Sequence, residues 1–479
     1  MSLKTLGVMS LVLITIGSVD SIRNLPATAL FGSNIVAFFI LGALFFLIPS
    51  GMISAELASA AHEGEGGIYR WVREALGPRW GFVAIWYQWI ENVVYYPALL
   101  SFVAGTVAYL FCPAWAESRI FLMLFILAAF WIITFLNLFG MKASGFFANL
   151  CSLFGLVLPM AMIIATGIIW VWKGQPMHVD LHPRALIPSF SHPDLWVTLT
   201  GVMLSMCGIE IATIHVRETK NPKTAFPRAL AIATAFILIT LVLGSLSIAI
   251  VMPQSQLSLI AGIMQAFNVF FSDYHVHWLM PMIGGALIIG GLGGLNNWLI
   301  APTRGLHYAG RQGHFPQWLL KENYYGAPVS LLLIQAAIVT CTLVIFILLP
   351  SINASYWYLN VLAAQLYMFM YILMFIAGIV LKIRSRKNNS LINGYQIPGG
   401  AWGTGVVGVM GIIGSVVTIL IGFLPPSNIN AGSIVHYAVM ISLGLIFMSL
   451  PAVWLAKTRN KYKKHPEKLE KNSEKNSNA

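Results

Sequence analysis

Three ionisable residues stand where hydrophobic segments are interrupted, and they set the chemistry open to this chain. Asp20 and Arg23 lie in Gly17-Ser18-Val19-Asp20-Ser21-Ile22-Arg23-Asn24-Leu25-Pro26, inside an apolar run from about residue 6 to residue 31. Glu210 lies in Cys207-Gly208-Ile209-Glu210-Ile211-Ala212, inside a second run from about 195 to 216. An ionised group at bilayer mid-depth is expensive and marks a functional site. Gly17 and Gly208 allow the helix to open, and opened backbone is tolerated at that depth only where it lines a cavity. Pro26 suits the first turn of a second half-helix, where its missing N–H costs nothing. That new N-terminus presents free N–H groups and the positive dipole end, so a carboxylate could sit there beside Arg23. Two such helices in matching places of two halves point to the substrate site of a secondary transporter.

Each residue also has a plainer reading. Asp20 and Arg23, three apart, could neutralise each other on one helical face. Glu210 either receives a cation, a substrate amine or a proton, or hydrogen-bonds the unwound backbone of the first helix; desolvation of a buried carboxylate makes proton binding physically available. The candidate substrate-binding set is therefore Gly17, Ser18, Asp20, Ser21, Arg23, Cys207, Gly208, Glu210, Ile211 and Trp298. Glu56, Glu91, Tyr95 and Tyr96 are expected to gate or to brace helices. Trp357 and Tyr358 offer further aromatic walls. The run Gly290-Gly291-Leu292-Gly293-Gly294 suits close helix packing, and His215 is expected near an interface.

The elements that must position these residues follow from composition. Of 479 residues, 58% are hydrophobic and 9% charged, against about 25% charged in a soluble domain, and mean hydropathy is +0.78. This is an all-α integral membrane protein. Apolar stretches of at least about 18 residues predict twelve helices, spanning about 6–31, 35–58, 82–111, 120–140, 144–172, 195–217, 228–251, 278–303, 328–349, 355–381, 402–424 and 434–456. With the N-terminus inside, 24 of the 28 Lys and Arg residues fall on the cytoplasmic side, so both termini are expected there.

The net charge of +12 then reflects topology and anionic lipid, and nucleic acid is not implied. No cleavable signal peptide is expected, because the first apolar run is too long. The four cysteines have no paired spacing, so neither a disulfide framework nor a metal site is expected. His62-Glu63-Gly64-Glu65-Gly66-Gly67 lacks the Lys-Ser/Thr and the preceding strand of a phosphate loop. Residues 257–271 are too short to span and read as an external helix, and 305–321 as an internal interfacial segment. The Lys/Asn/Glu/Ser-rich segment 457–479 should be disordered. No nucleophile–base pair appears in any loop, so no catalytic residue, enzyme activity or cofactor is expected.

At these residues the chain resembles the amino acid–polyamine–organocation superfamily, and within it the glutamate:γ-aminobutyrate antiporter family. The matching stretches are 46–58 around Glu56, 65–81 from Glu65-Gly-Gly-Ile-Tyr, and 208–222 from Gly208-Ile-Glu. Others are Ala301-Pro-Thr-Arg-Gly305, Ile397-Pro-Gly-Gly400 and Phe423-Leu-Pro-Pro426. The resemblance implies a twelve-helix, LeuT-like fold of five-plus-five inverted repeats with broken helices 1 and 6. Repeat one would cover about 6–172, repeat two about 195–381, and helices 11 and 12 about 402–456. It also implies amino-acid transport in a bacterial inner membrane by alternating access, as an antiporter exchanging an amino acid for a related amino acid or amine. Proton-coupled uptake and a non-transporting amino-acid sensor are the alternatives. Two features depart from the acid-resistance antiporter of enteric bacteria. Its stretch matching Val19–Arg23 is apolar and aromatic, and its C-terminal plug is longer than this tail.

Overall fold

The computed structural model describes residues 6–60, 67–139, 153–188, 196–387 and 394–457. Among these the chain is helical, with two isolated bridges and no strand. Eleven helices are long and apolar enough to cross a membrane, and a twelfth apolar helix, Thr198–Thr213, is shorter. In chain order they are helix 1 (Val8–Ala29), 2 (Gly32–Ala60), 3 (Pro78–Phe111), 4 (Arg119–Leu138), 5 (Phe154–Trp172), 6 (Thr198–Thr213), 7 (Pro222–Val251), 8 (His277–His314), 9 (Val329–Leu348), 10 (Ile352–Arg386), 11 (Gly400–Ile421) and 12 (Ile434–Lys457). All twelve expected segments are present. Helix 6 is made of two short pieces, Thr198–Ser205 and the 3-10 helix Ile209–Glu218.

Helix 3 is the central post, packed against helices 8 and 10, while helix 1 packs against helix 7 and the second half of helix 6. Close approach depends on missing side chains. A Cβ on Gly290 of helix 8 would stand 2.3 Å from the Gly155 Cα of helix 5, so the glycine run serves packing. The outer face of helix 12 shows the opposite pattern. Leu443, Phe447, Leu450 and Trp454 recur every three or four residues and are all exposed, a stripe matched to lipid.

Residues 262–273 form the expected non-spanning helix, Gly262–Asp273, whose Phe267, Phe270 and Phe271 are buried. Helix 8 runs further than expected. It continues through Arg304 to Ala309 and a π-helical turn, Gly310–His314, before the chain turns away. Pro302 lies inside this helix and does not end it. The loop 62–66 and the tail after Lys457 lie outside the described residues.

Candidate functional site

Helix 1 breaks later than its glycine suggests. Its first half, Val8–Val19, includes Gly17, and the backbone opens at Asp20 (ψ 133°) and Ser21 (φ −150°, ψ 106°), both extended. A 3-10 turn, Ile22–Asn24, then leads into Leu25–Ala29, with Pro26 in the first turn. Gly17 is exposed, and a Cβ there would meet nothing within 4 Å. It belongs neither to the break nor to the cavity described next, which corrects the sequence expectation.

Helix 6 breaks at its glycine. Thr198–Ser205 ends, Gly208 takes φ +107°, and the chain resumes as the 3-10 helix Ile209–Glu218. A side chain at that φ is strained, and a Cβ would also stand 2.8 Å from the Ser18 carbonyl oxygen. The two breaks touch at this point. The Gly208 N–H donates to the Tyr371 hydroxyl at 2.7 Å.

Between the breaks lies a cavity of about 40 Å³, lined among others by Ser18, Ser21, Arg23, Glu91, Cys207 and Trp298. Tyr95, Tyr96, Asn92 and Tyr367 complete its polar wall. Ser21 Oγ is buried with no hydrogen-bond partner among the described residues, so it is available to a ligand. Arg23 Nε donates to the Tyr95 hydroxyl at 2.7 Å, and the guanidinium lies over that ring, 5.1 Å from its centroid. Tyr95 passes its own hydrogen to Asn24 Oδ1 at 2.9 Å. Glu91 is buried, and its Oε1 accepts from Asn92 at 2.6 Å. The cavity is thus lined by both an arginine and a carboxylate.

Asp20 and Arg23 do not pair. The extended residues between them destroy the i, i+3 register that would put both on one face. Asp20 instead meets Thr240 of helix 7, which lies 2.9 Å from Oδ2. Glu210 is held by three donors. Gln88 of helix 3 gives 3.2 Å and Tyr367 of helix 10 gives 2.8 Å to Oε1, and Tyr371 bonds Oε2. Its carboxylate therefore bonds helices 3 and 10 rather than the unwound backbone of helix 1. Ile211 is not among the residues lining the cavity.

Glu56 lies in another cluster. It forms a buried ion pair with Lys382 of helix 10 and accepts from Thr404 of helix 11 at 3.0 Å, so it ties three helices together. Trp357 packs on Phe31 at 5.9 Å and Tyr358 donates to the Met440 carbonyl, away from this cavity. His215 pairs with Glu218 at 3.3 Å.

Sequence reading missed the tyrosines of helix 10. Tyr356 donates to the Arg23 carbonyl at 3.1 Å, and Tyr367 and Tyr371 reach Glu210. Their spacing of eleven and four residues places them on one helical stripe, a signal hidden among the chain's many aromatics. Among the described residues no group of three His, Cys, Asp or Glu side chains could hold a metal ion. The polar and charged side chains lining the cavity are suited to a small polar molecule.

Three comparisons bear on this site. The amino acid permease family model matches residues 6–464. An uncharacterized transporter of Legionella pneumophila is 40% identical over 469 residues, covering 98% of each chain. A glutamate/gamma-aminobutyrate antiporter of Lactococcus lactis is 27% identical over 454 residues, covering 94% of this chain and 90% of that one. Among solved structures, a manganese transporter mutant of Eremococcus coleocola aligns with a TM-score of 0.59 over 94% of both chains at 12% identity, a likeness of fold alone. With a family model spanning nearly its whole length and broken helices 1 and 6 facing one cavity, this chain belongs to the amino acid permease family, as a multi-pass membrane transporter.

Proposed function

We propose that this permease is an antiporter of the bacterial inner membrane that exchanges an amino acid for a related amino acid or amine by alternating access. The observation that carries the reading is the cavity between the two breaks, lined by Arg23 and by Glu91. A zwitterion complements that pair, its carboxylate toward Arg23 and the unwound helix 1, its ammonium toward Glu91. At about 40 Å³ the space holds a few waters. An amino acid enters only if the half-helices move, and such movement is what alternating access requires. The glutamate/gamma-aminobutyrate antiporter of Lactococcus lactis supports exchange as the mode.

On this reading helices 1–5 and 6–10 are inverted repeats, helices 11 and 12 follow them, and both termini lie in the cytoplasm. Counterflow tests it. Proteoliposomes preloaded with an amino-acid mixture should accumulate labelled amino acid in exchange, and Arg23→Gln should raise the half-saturating concentration at least about tenfold, about 1.4 kcal/mol. Uptake that proceeds equally into empty vesicles under a proton gradient would replace exchange with symport. Binding without flux would make the protein a sensor.

A further inference from the structure

We propose that Asp20 and Thr240 form a proton-binding site set apart from the substrate cavity, one that links protonation to the geometry of the helix 1 break. The inference extends the transport reading above but rests on different atoms. Val19 and Ser21 line the cavity, whereas Asp20 between them does not. Extended backbone turns successive side chains to opposite sides, so Asp20 faces helix 7. It is 6% exposed. Its Oδ2 lies 2.9 Å from Thr240 Oγ1, and its Oδ1 has no hydrogen-bond partner among the described residues. The Ser21 N–H faces the carboxyl group without making a hydrogen bond to Oδ1.

Hydrogen counting separates the two protonation states. Thr240 Oγ1 is also 3.0 Å from the carbonyls of Phe236 and Ile237, yet its hydroxyl has one hydrogen for three acceptors. With a proton on Oδ2, that group donates to Thr240, and Thr240 donates onward to its own helix. Without the proton, the Thr240 hydrogen must turn from the carbonyls of its own helix to the carboxylate, and Oδ1 is left with the Ser21 N–H facing it and no hydrogen-bond partner among the described residues. The step is the transfer of one proton from hydronium to a carboxylate oxygen: an O–H bond of hydronium breaks, one forms on Oδ2, and water is left.

Among the described residues no charged side chain forms an ion pair with Asp20, and Glu56 of helix 2, which packs on helix 7, is paired with Lys382. Arg23 on its own helix is engaged with Tyr95. Glu210 of helix 6 is taken by Gln88, Tyr367 and Tyr371, and His215 beyond it pairs with Glu218. Lys223 and Arg228 stand at the start of helix 7, at least about 18 Å along its axis from Thr240. Asp273, on the external helix, accepts from Gln175. The hinge itself is the contact: separating helix 1 from helix 7 would part Asp20 from Thr240 and open the carboxyl group to water.

The test reads the proton directly and needs no substrate. Infrared difference spectra of the full-length protein in liposomes, taken between acidic and alkaline buffer, should show a protonated buried carboxyl band. That band should be lost in Asp20→Asn and kept in Glu91→Gln. Thr240→Val, which removes the hydroxyl at nearly constant shape, should shift its frequency and titration midpoint. A band unchanged in Asp20→Asn overturns the proposal; if that variant does not fold, a band unmoved in Thr240→Val does so. Counterflow by the same wild-type vesicles reports separately on exchange, so failure of the transport reading and failure of this one are told apart.

Discussion

Two glycines of the broken helices should respond oppositely to the same substitution. Gly208→Ala places a side chain at φ +107°, which costs about 1–3 kcal/mol for a non-glycine residue held there. Its Cβ would also press to 2.8 Å from the Ser18 carbonyl and 3.6 Å from the Trp298 ring. Relieving the carbonyl contact moves one break away from the other by roughly half an ångström, with an overpacking cost of about 1–3 kcal/mol. If only about 2.7 kcal/mol of this falls on the closed arrangement and not on an opened one, the ratio of the two states shifts about a hundredfold.

Gly17→Ala meets open space inside a regular helical segment, so it should be neutral or stabilise by about 0.5–1 kcal/mol through helix propensity. Counterflow rate and thermal unfolding of the purified variants decide the matter. Gly208→Ala should exchange at least about tenfold more slowly than wild type, and Gly17→Ala should not. Equal damage in both, or wild-type exchange and unfolding temperature in Gly208→Ala, would refute the assignment of the contact between breaks.

Other outcomes follow from the same geometry. Glu210→Gln puts an amide NH₂ where only donors point, so loss of hydrogen bonds to a charged acceptor, about 1.5–3 kcal/mol each, should cut flux by at least about tenfold; wild-type flux with unchanged pH dependence would reduce Glu210 to a neutral strut. Glu56→Gln strands Lys382 in the bundle and should destabilise by about 3–5 kcal/mol, whereas Glu56→Gln with Lys382→Met should recover much of it; equal melting of single and double variants would show that the pair is not a structural tie. For topology, in a background lacking native cysteines, an external membrane-impermeant thiol reagent should modify Ser272→Cys but not Tyr324→Cys in intact cells, and labelling of the second would overturn the expected orientation.

Hydrophobic length and the placement of Lys and Arg determined the class, the twelve helical segments and an orientation to be tested, because lipid imposes a length and a charge asymmetry that can be counted along the chain. Breaks in helices 1 and 6 were legible too, since a charged residue beside Gly or Pro inside an apolar run is costly unless the helix opens onto a polar cavity. Their exact opening was not. Gly17 permits a break but does not compel one, and the chain opens at Asp20 and Ser21, where Thr240 of helix 7 meets the Asp20 carboxyl group and Tyr356 of helix 10 donates to the Arg23 carbonyl. The partners of each charge were likewise decided by packing. Arg23 lies close to Asp20 in sequence, yet it lies over Tyr95, 72 positions away, and Glu210 bonds residues of helices 3 and 10. Such contacts depend on which helical stripes the bundle turns toward one another. A stripe of tyrosines in an aromatic-rich chain becomes a site only when tertiary structure aims it at an unwound backbone, and that alignment is a property of the packed helices, not of any one segment.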